Sequence, residues 1–144
     1  MKARNVSRSR TINNSRNSKI LKDFFKDKGK IVLVFVFGSF VTGRITSHSD
    51  IDIAILFETS PDVYETNRLR DELTELLHRE CDVIALNKAS PILRMQVLRK
   101  GVLVFSKGRR HFHQFFVDTV NQYDDLKQIR KNCEENILRR RIHA

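Results

Sequence analysis

Asp50 and Asp52 are separated by a single isoleucine at the head of an apolar run, Ile51 to Phe57. Side chains two apart on a strand share one face. The pair therefore offers neighbouring oxygen ligands of the kind Mg²⁺ prefers, an ion that takes its remaining ligands from water and substrate phosphates. Before them, Gly38-Ser39 breaks a second apolar run, Ile31 to Phe37. A glycine lets a ligand approach the backbone, and free N–H groups with a hydroxyl make an anion site. Asp82, on a later apolar segment, could complete a three-carboxylate set able to hold two metal ions. The matching chemistry is nucleotidyl transfer, in which an acceptor hydroxyl attacks the α-phosphate of a nucleoside triphosphate and pyrophosphate leaves. Metal charge would stabilise the attacking and leaving oxygens, and Asp82 could accept the hydroxyl proton. Gly-Ser, then ten intervening residues, then Asp-x-Asp arises by chance in roughly one protein of this length in several hundred.

The surrounding pattern supplies elements to hold these residues. Ile20, Leu21, Phe24 and Phe25 recur at helical spacing, predicting a helix over Ser18 to Lys28 that Gly29 ends. Ile31 to Phe37 is a continuous β-branched and aromatic run, the mark of a strand covered on both faces. Phe40 and Val41 can open a short helix that Gly43 stops. Ile51 to Phe57 is a strand with one polar end. Ser60-Pro61-Asp62 reads as a helix start with Ser60 as N-cap, for a helix running to about His78. Cys81 to Leu86 is a third strand. Ser90-Pro91 opens another helix, which Gly101 closes, and Val102 to Phe105 is a fourth strand. From Arg109 a helix of roughly 30 residues, about 45 Å, carries a stripe through Phe112, Phe116, Val120, Tyr123, Leu126, Cys133 and Ile137. It is long enough to pack on the sheet with one part and on another chain with the rest. Strands alternating with helices define an α/β fold.

The chain has 144 residues and a net charge of +10. Its length favours one domain, placed at residues 18–144. Residues 1–17 form a tail rich in Ser, Asn and Arg, and residues 1–19 carry six basic residues and no acid. Such composition predicts disorder. It suits a solvated extension, with a nucleic-acid-binding arm or an organelle transit peptide as alternatives, and it lacks the apolar segment of a secretory signal. No run approaches a membrane span. Cys81 and Cys133 form no CxxC pair and read as reduced thiols of a cytoplasmic protein. His48 reads as a solvated loop residue. His111 and His113 diverge on a helix, which argues against zinc. Phe112, Phe115 and Phe116 read as core, and Arg139-Arg140-Arg141 as a solvated helix end.

With Gly38-Ser39, Asp50-Ile51-Asp52 and Asp82 in place, residues 20 to 105 resemble the DNA-polymerase-β-like nucleotidyltransferase superfamily. Within it the chain is similar to the minimal nucleotidyltransferases (MNT), antitoxins of HEPN ribonuclease toxins. The resemblance implies a mixed sheet of about four strands flanked by helices. It further implies that Gly38 and Ser39 hold triphosphate and that Asp50, Asp52 and Asp82 bind Mg²⁺. ATP would be the donor, and a tyrosine hydroxyl of the HEPN partner the acceptor whose AMP addition silences the toxin. Many relatives read GS-x-A-[RK]-G after the first strand, where this chain has Val41 and Thr42. Arg44, two residues on, is the expected stand-in for the basic residue missing at Thr42. Two other readings stay open: an antitoxin that binds and occludes its partner through the long helix, and a nucleotidyltransferase acting on RNA or a small molecule. The basic tail would serve the RNA reading, which no recognition motif supports.

Overall fold

The computed structural model describes residues 16–37 and 50–143. The predicted tail up to residue 15 and the predicted short helix at Phe40 to Gly43 lie outside them. The first helix, α1, spans 16–26, so it starts and stops two residues earlier than its spacing suggests. The Lys28 amide donates to the Phe25 carbonyl and that of Ile31 to Lys28, tightening the exit before Gly29 is reached. Strand β1 (Ile31–Phe37) and strand β2 (Ile51–Phe57) follow. Helix α2 covers Val63–Leu77. Its N-cap is Asp62 rather than the expected Ser60, with Oδ1 accepting from the Glu65 amide at 2.7 Å. Pro61 thus stands outside the helix. His78 closes α2 in the left-handed conformation, with φ 54°.

Strand β3 (Cys81–Ala85) is one residue shorter than predicted, because Leu86 opens a 3₁₀ turn over Leu86–Lys88. Two side chains hold that turn. The Asn87 carboxamide accepts from the Phe57 amide and donates to the Phe57 carbonyl, both at 2.9 Å. The Arg94 guanidinium donates to the carbonyls of Leu86 and Asn87. Helix α3 (Pro91–Lys100) has the predicted cap, Ser90 Oγ accepting from the Leu93 amide, and stops at Gly101. Strand β4 runs Val102–Ser106 and helix α4 Arg109–His143. At 35 residues, α4 is about 52 Å long.

The sheet order is β3-β2-β1-β4. Strand β1 pairs antiparallel with β2 and β4, while β2 pairs parallel with β3, so the sheet is mixed. As expected for β1, both faces are buried. Leu21, Phe25, Leu69 and Leu73 from α1 and α2 pack on Ile31, Val34 and Val36. Leu86, Val97 and Phe115, from the 3₁₀ turn, α3 and α4, pack on Val32, Leu33 and Phe35. The β1–β2 register shifts between Ile31 and Leu33. A bulge of this kind lets the neighbours Val32 and Leu33 serve the same core.

Helix α4 buries a face turned by one residue from the predicted stripe. Phe115 and Thr119 are buried, whereas Phe116 is 45% exposed. Phe115 wins the inner position because its ring meets both Phe35, 5.9 Å away, and the Arg94 guanidinium. The periodicity of apolar residues misses this face because Thr119 is polar. Its hydroxyl is fully buried with no hydrogen-bond partner among the described residues. Burying an unpaired hydroxyl costs about 1–3 kcal/mol. Thr119→Val, which keeps the shape, is expected to raise unfolding stability by about 1 kcal/mol, seen as a higher urea midpoint with an unchanged slope. From residue 127 to residue 140 every side chain of α4 is exposed. No described helix is long and apolar enough to cross a membrane.

Candidate active site

The first pairs of the β1–β2–β3 ladder bring acids together. Asp52 lies opposite Asp82 on parallel β3 and opposite Phe37 on antiparallel β1. Laterally paired residues project to the same face, with strands about 4.8 Å apart. Asp52 shares its face of β2 with Ala54 and Leu56, which pack with Val97 and Phe115. The two carboxylates therefore open on the α3–α4 side of the sheet, just past the end of its core. Asp50, two residues before Asp52, adds a third acid at this end and is exposed.

The electrostatics agree with this crowding. Partial burial raises the Asp52 carboxyl above its ordinary value, and the negative charges of Asp82 and then Asp50 push it the same way. The neighbouring Cys81 thiol is pushed up to about 11, mainly by burial and also by those two acids, although a hydrogen bond with Thr74 opposes the shift. It is a neutral core thiol, paired across the sheet with Ile51, and unsuited to nucleophilic work. Among the described residues no three His, Cys, Asp or Glu groups converge closely enough to cage an ion by themselves. The donor set nevertheless fits Mg²⁺. It consists of hard carboxylate oxygens with excess negative charge, and this ion normally completes its shell with water and phosphate.

Gly38, Ser39 and Arg44, expected to bind nucleotide, lie outside the described residues, as do Val41, Thr42 and His48. Strand β1 ends at Phe37, beside Asp52, at the carboxylate end of the sheet. A concavity of about 340 Å³ opens at the opposite end, between Lys28, Ile31, Phe57 and Arg68. It is more than a dozen ångströms from Asp52, at about 3.3 Å per strand residue. Its cations are already paired, Lys28 and Arg68 with Glu72 and Lys30 with Glu65. That hollow lies between the turn before β1 and helix α2, away from the acids. The tie from Asn87 to Phe57 and the clamp by Arg94 had no signal in residue spacing.

A mixed sheet with paired acids at one end, reached from a strand that leads into Gly-Ser, is the arrangement of a nucleotidyltransferase. The profile described as polymerase beta, nucleotidyltransferase matches residues 19–110, and the chain belongs to that family. It is similar to the protein adenylyltransferase MntA of Shewanella oneidensis, at 28% identity over 121 residues, 84% of this chain and 86% of that protein. Among solved structures it resembles a chain of a toxin–antitoxin crystal structure with AMP-PNP, with a TM-score of 0.72 and 27% identity, covering 85% of this chain and 98% of that one. It also resembles a chain in the complex of tri-AMPylated Shewanella oneidensis HEPN toxin with MNT antitoxin. There the TM-score is 0.64 and the identity 26%, over 90% of this chain and 98% of that one.

Proposed function

We propose that this protein is an antitoxin that transfers AMP from ATP to a tyrosine hydroxyl of a cognate HEPN toxin and so neutralises it. The observation carrying the proposal is the lateral pairing of Asp52 with Asp82 beside the end of β1. The tyrosine oxygen attacks the α-phosphorus, the bond to the bridging oxygen breaks, and pyrophosphate leaves. Asp82 stands to accept the phenolic proton. Asp50, Asp52 and Asp82 would hold Mg²⁺, which supplies positive charge to the attacking and leaving oxygens. Gly38 and Ser39 would hold the triphosphate through backbone N–H groups and the hydroxyl. We place the protein in the cytoplasm, where ATP is available and the thiols of Cys81 and Cys133, both free, stay reduced.

Co-expression with a cognate HEPN protein is the direct test. Intact-mass analysis is expected to show AMP added to a tyrosine of that protein, and none when Asp52 is replaced by Asn. The same experiment addresses neutralisation by binding alone, for which Ile129, Ile137 and Leu138, all exposed on the outer half of α4, provide a surface. Under that reading the Asp52→Asn protein would still protect cells.

A further inference from the structure

The row of residues that holds the acids continues beyond β1. Asp82, Asp52 and Phe37 are lateral neighbours, and Val36 pairs with Val102 on β4. The next position along the row after Phe37 is therefore Gly101, and Lys100 stands at its shoulder as the last residue of α3. Two strand spacings, about 9.6 Å, separate the Asp52 and Gly101 positions. Connectivity places this helix end on the correct face. Strand β3 leaves the row at Asp82, the chain turns through Leu86–Lys88 at the far end, and α3 returns along the face occupied by Ala54 and Leu56.

Gly101 holds the end of α3 in position. Its amide donates to the Val97 carbonyl at 2.8 Å. A β-carbon there would stand 2.5 Å from that carbonyl oxygen and 3.5 Å from the β-carbon of Phe35. The missing β-carbon lets the chain turn off closely beneath the Val97 carbonyl at the helix end, in ordinary contact with β1, and that turn fixes where Lys100 emerges.

Among the described residues, the other cations of α3 and the α4 lysine beside them are engaged. Arg94 holds Leu86, Asn87 and Gln122. Arg99 and Lys127 lie over the Tyr123 ring. The Lys100 side chain is exposed and makes no hydrogen bond, ion pair or ring contact among the described residues. Arg79, near the row on its other side, arrives from α2, which packs on the opposite face.

We propose that Lys100 binds the β- and γ-phosphates of the nucleoside triphosphate. It would supply the positive charge that the sequence pattern assigns to Arg44. Lysine serves phosphate as a mobile point charge, and here it would sit two strands along the row from Asp52. The inference rests on the adenylyltransferase reading and names the residue that holds the leaving group.

The test uses the full chain with its HEPN partner and ATP, and AMP-PNP binding to the chain alone. Lys100→Ala is expected to raise KM for ATP about tenfold or more and to weaken AMP-PNP by a similar factor, the loss of one hydrogen-bonded charge contact. Lys100→Arg should restore most of both. Lys88→Ala, an equivalent change at the far end of the sheet, should alter neither. A Lys100→Ala protein whose KM and AMP-PNP affinity stay within about twofold of wild type overturns the proposal. If the wild-type chain moves no AMP, the adenylyltransferase reading falls, and the AMP-PNP comparison still decides whether Lys100 binds triphosphate.

Discussion

Asp52→Asn is expected to abolish AMP transfer while making the free protein more stable. The loss of rate should reach at least about 10²–10³-fold, the scale for removing one electrostatic support of a transition state. The gain in stability follows from the charge crowding. Burial and the charges of Asp82 and Asp50 raise the Asp52 carboxyl above its ordinary value of 3.8. A carboxyl whose pKa is higher when folded binds its proton more tightly in the folded state. It therefore costs stability at neutral pH, and the cost fades as the pH falls from the raised value through 3.8. Asparagine removes that cost, so the variant should melt above wild type at pH 7, with the gap narrowing in acid. Mg²⁺ should act in the opposite order. At tenfold excess over its dissociation constant it should stabilise wild type by about 1.4 kcal/mol, a rise of a few degrees in Tm, and do much less for the variant. An Asp52→Asn protein that still transfers AMP at the wild-type rate would remove the carboxylates from the mechanism.

Phe25→Ala is expected to cost about 3–5 kcal/mol of stability, a large part of what a domain of this size possesses. The Phe25 ring is fully buried, edge-on to Phe24 at 5.0 Å and 6.3 Å from Phe105. It joins α1 to the edge strand β4 over the face opposite the acids. Urea unfolding of the variant should show a much lower midpoint. A change below about 1 kcal/mol would mean that α1 is an appendage and that the folded unit begins at β1.

The order of strands and helices was legible because each strand is a compact apolar run and each helix has a stripe or cap that local chemistry dictates. Asp50, Asp52 and Asp82 stood out because acids on apolar strands have few structural reasons to be there. Other features had no such signature. Ser60 and Asp62 are both competent caps, and only the backbone geometry selects Asp62. The inner face of α4 passes through Thr119, a polar residue that apolar periodicity skips. The neighbourhood of Lys100 depends on β4 pairing with β1 across a long chain separation, which no local pattern encodes. For the same reason the sequence looked to nearby Arg44 for the missing charge.

The bond pair between Asn87 and Phe57 has a consequence for solubility. Strand β3 lies at the edge of the sheet and spans only five residues. Without Asn87 the backbone of Phe57 would need two further residues of β3 to satisfy it, lengthening an open row of amides and carbonyls that invites pairing with other chains. One carboxamide takes over that bonding, and the backbone turns away into the 3₁₀ turn. One sheet edge is thereby kept too short to recruit a stray chain.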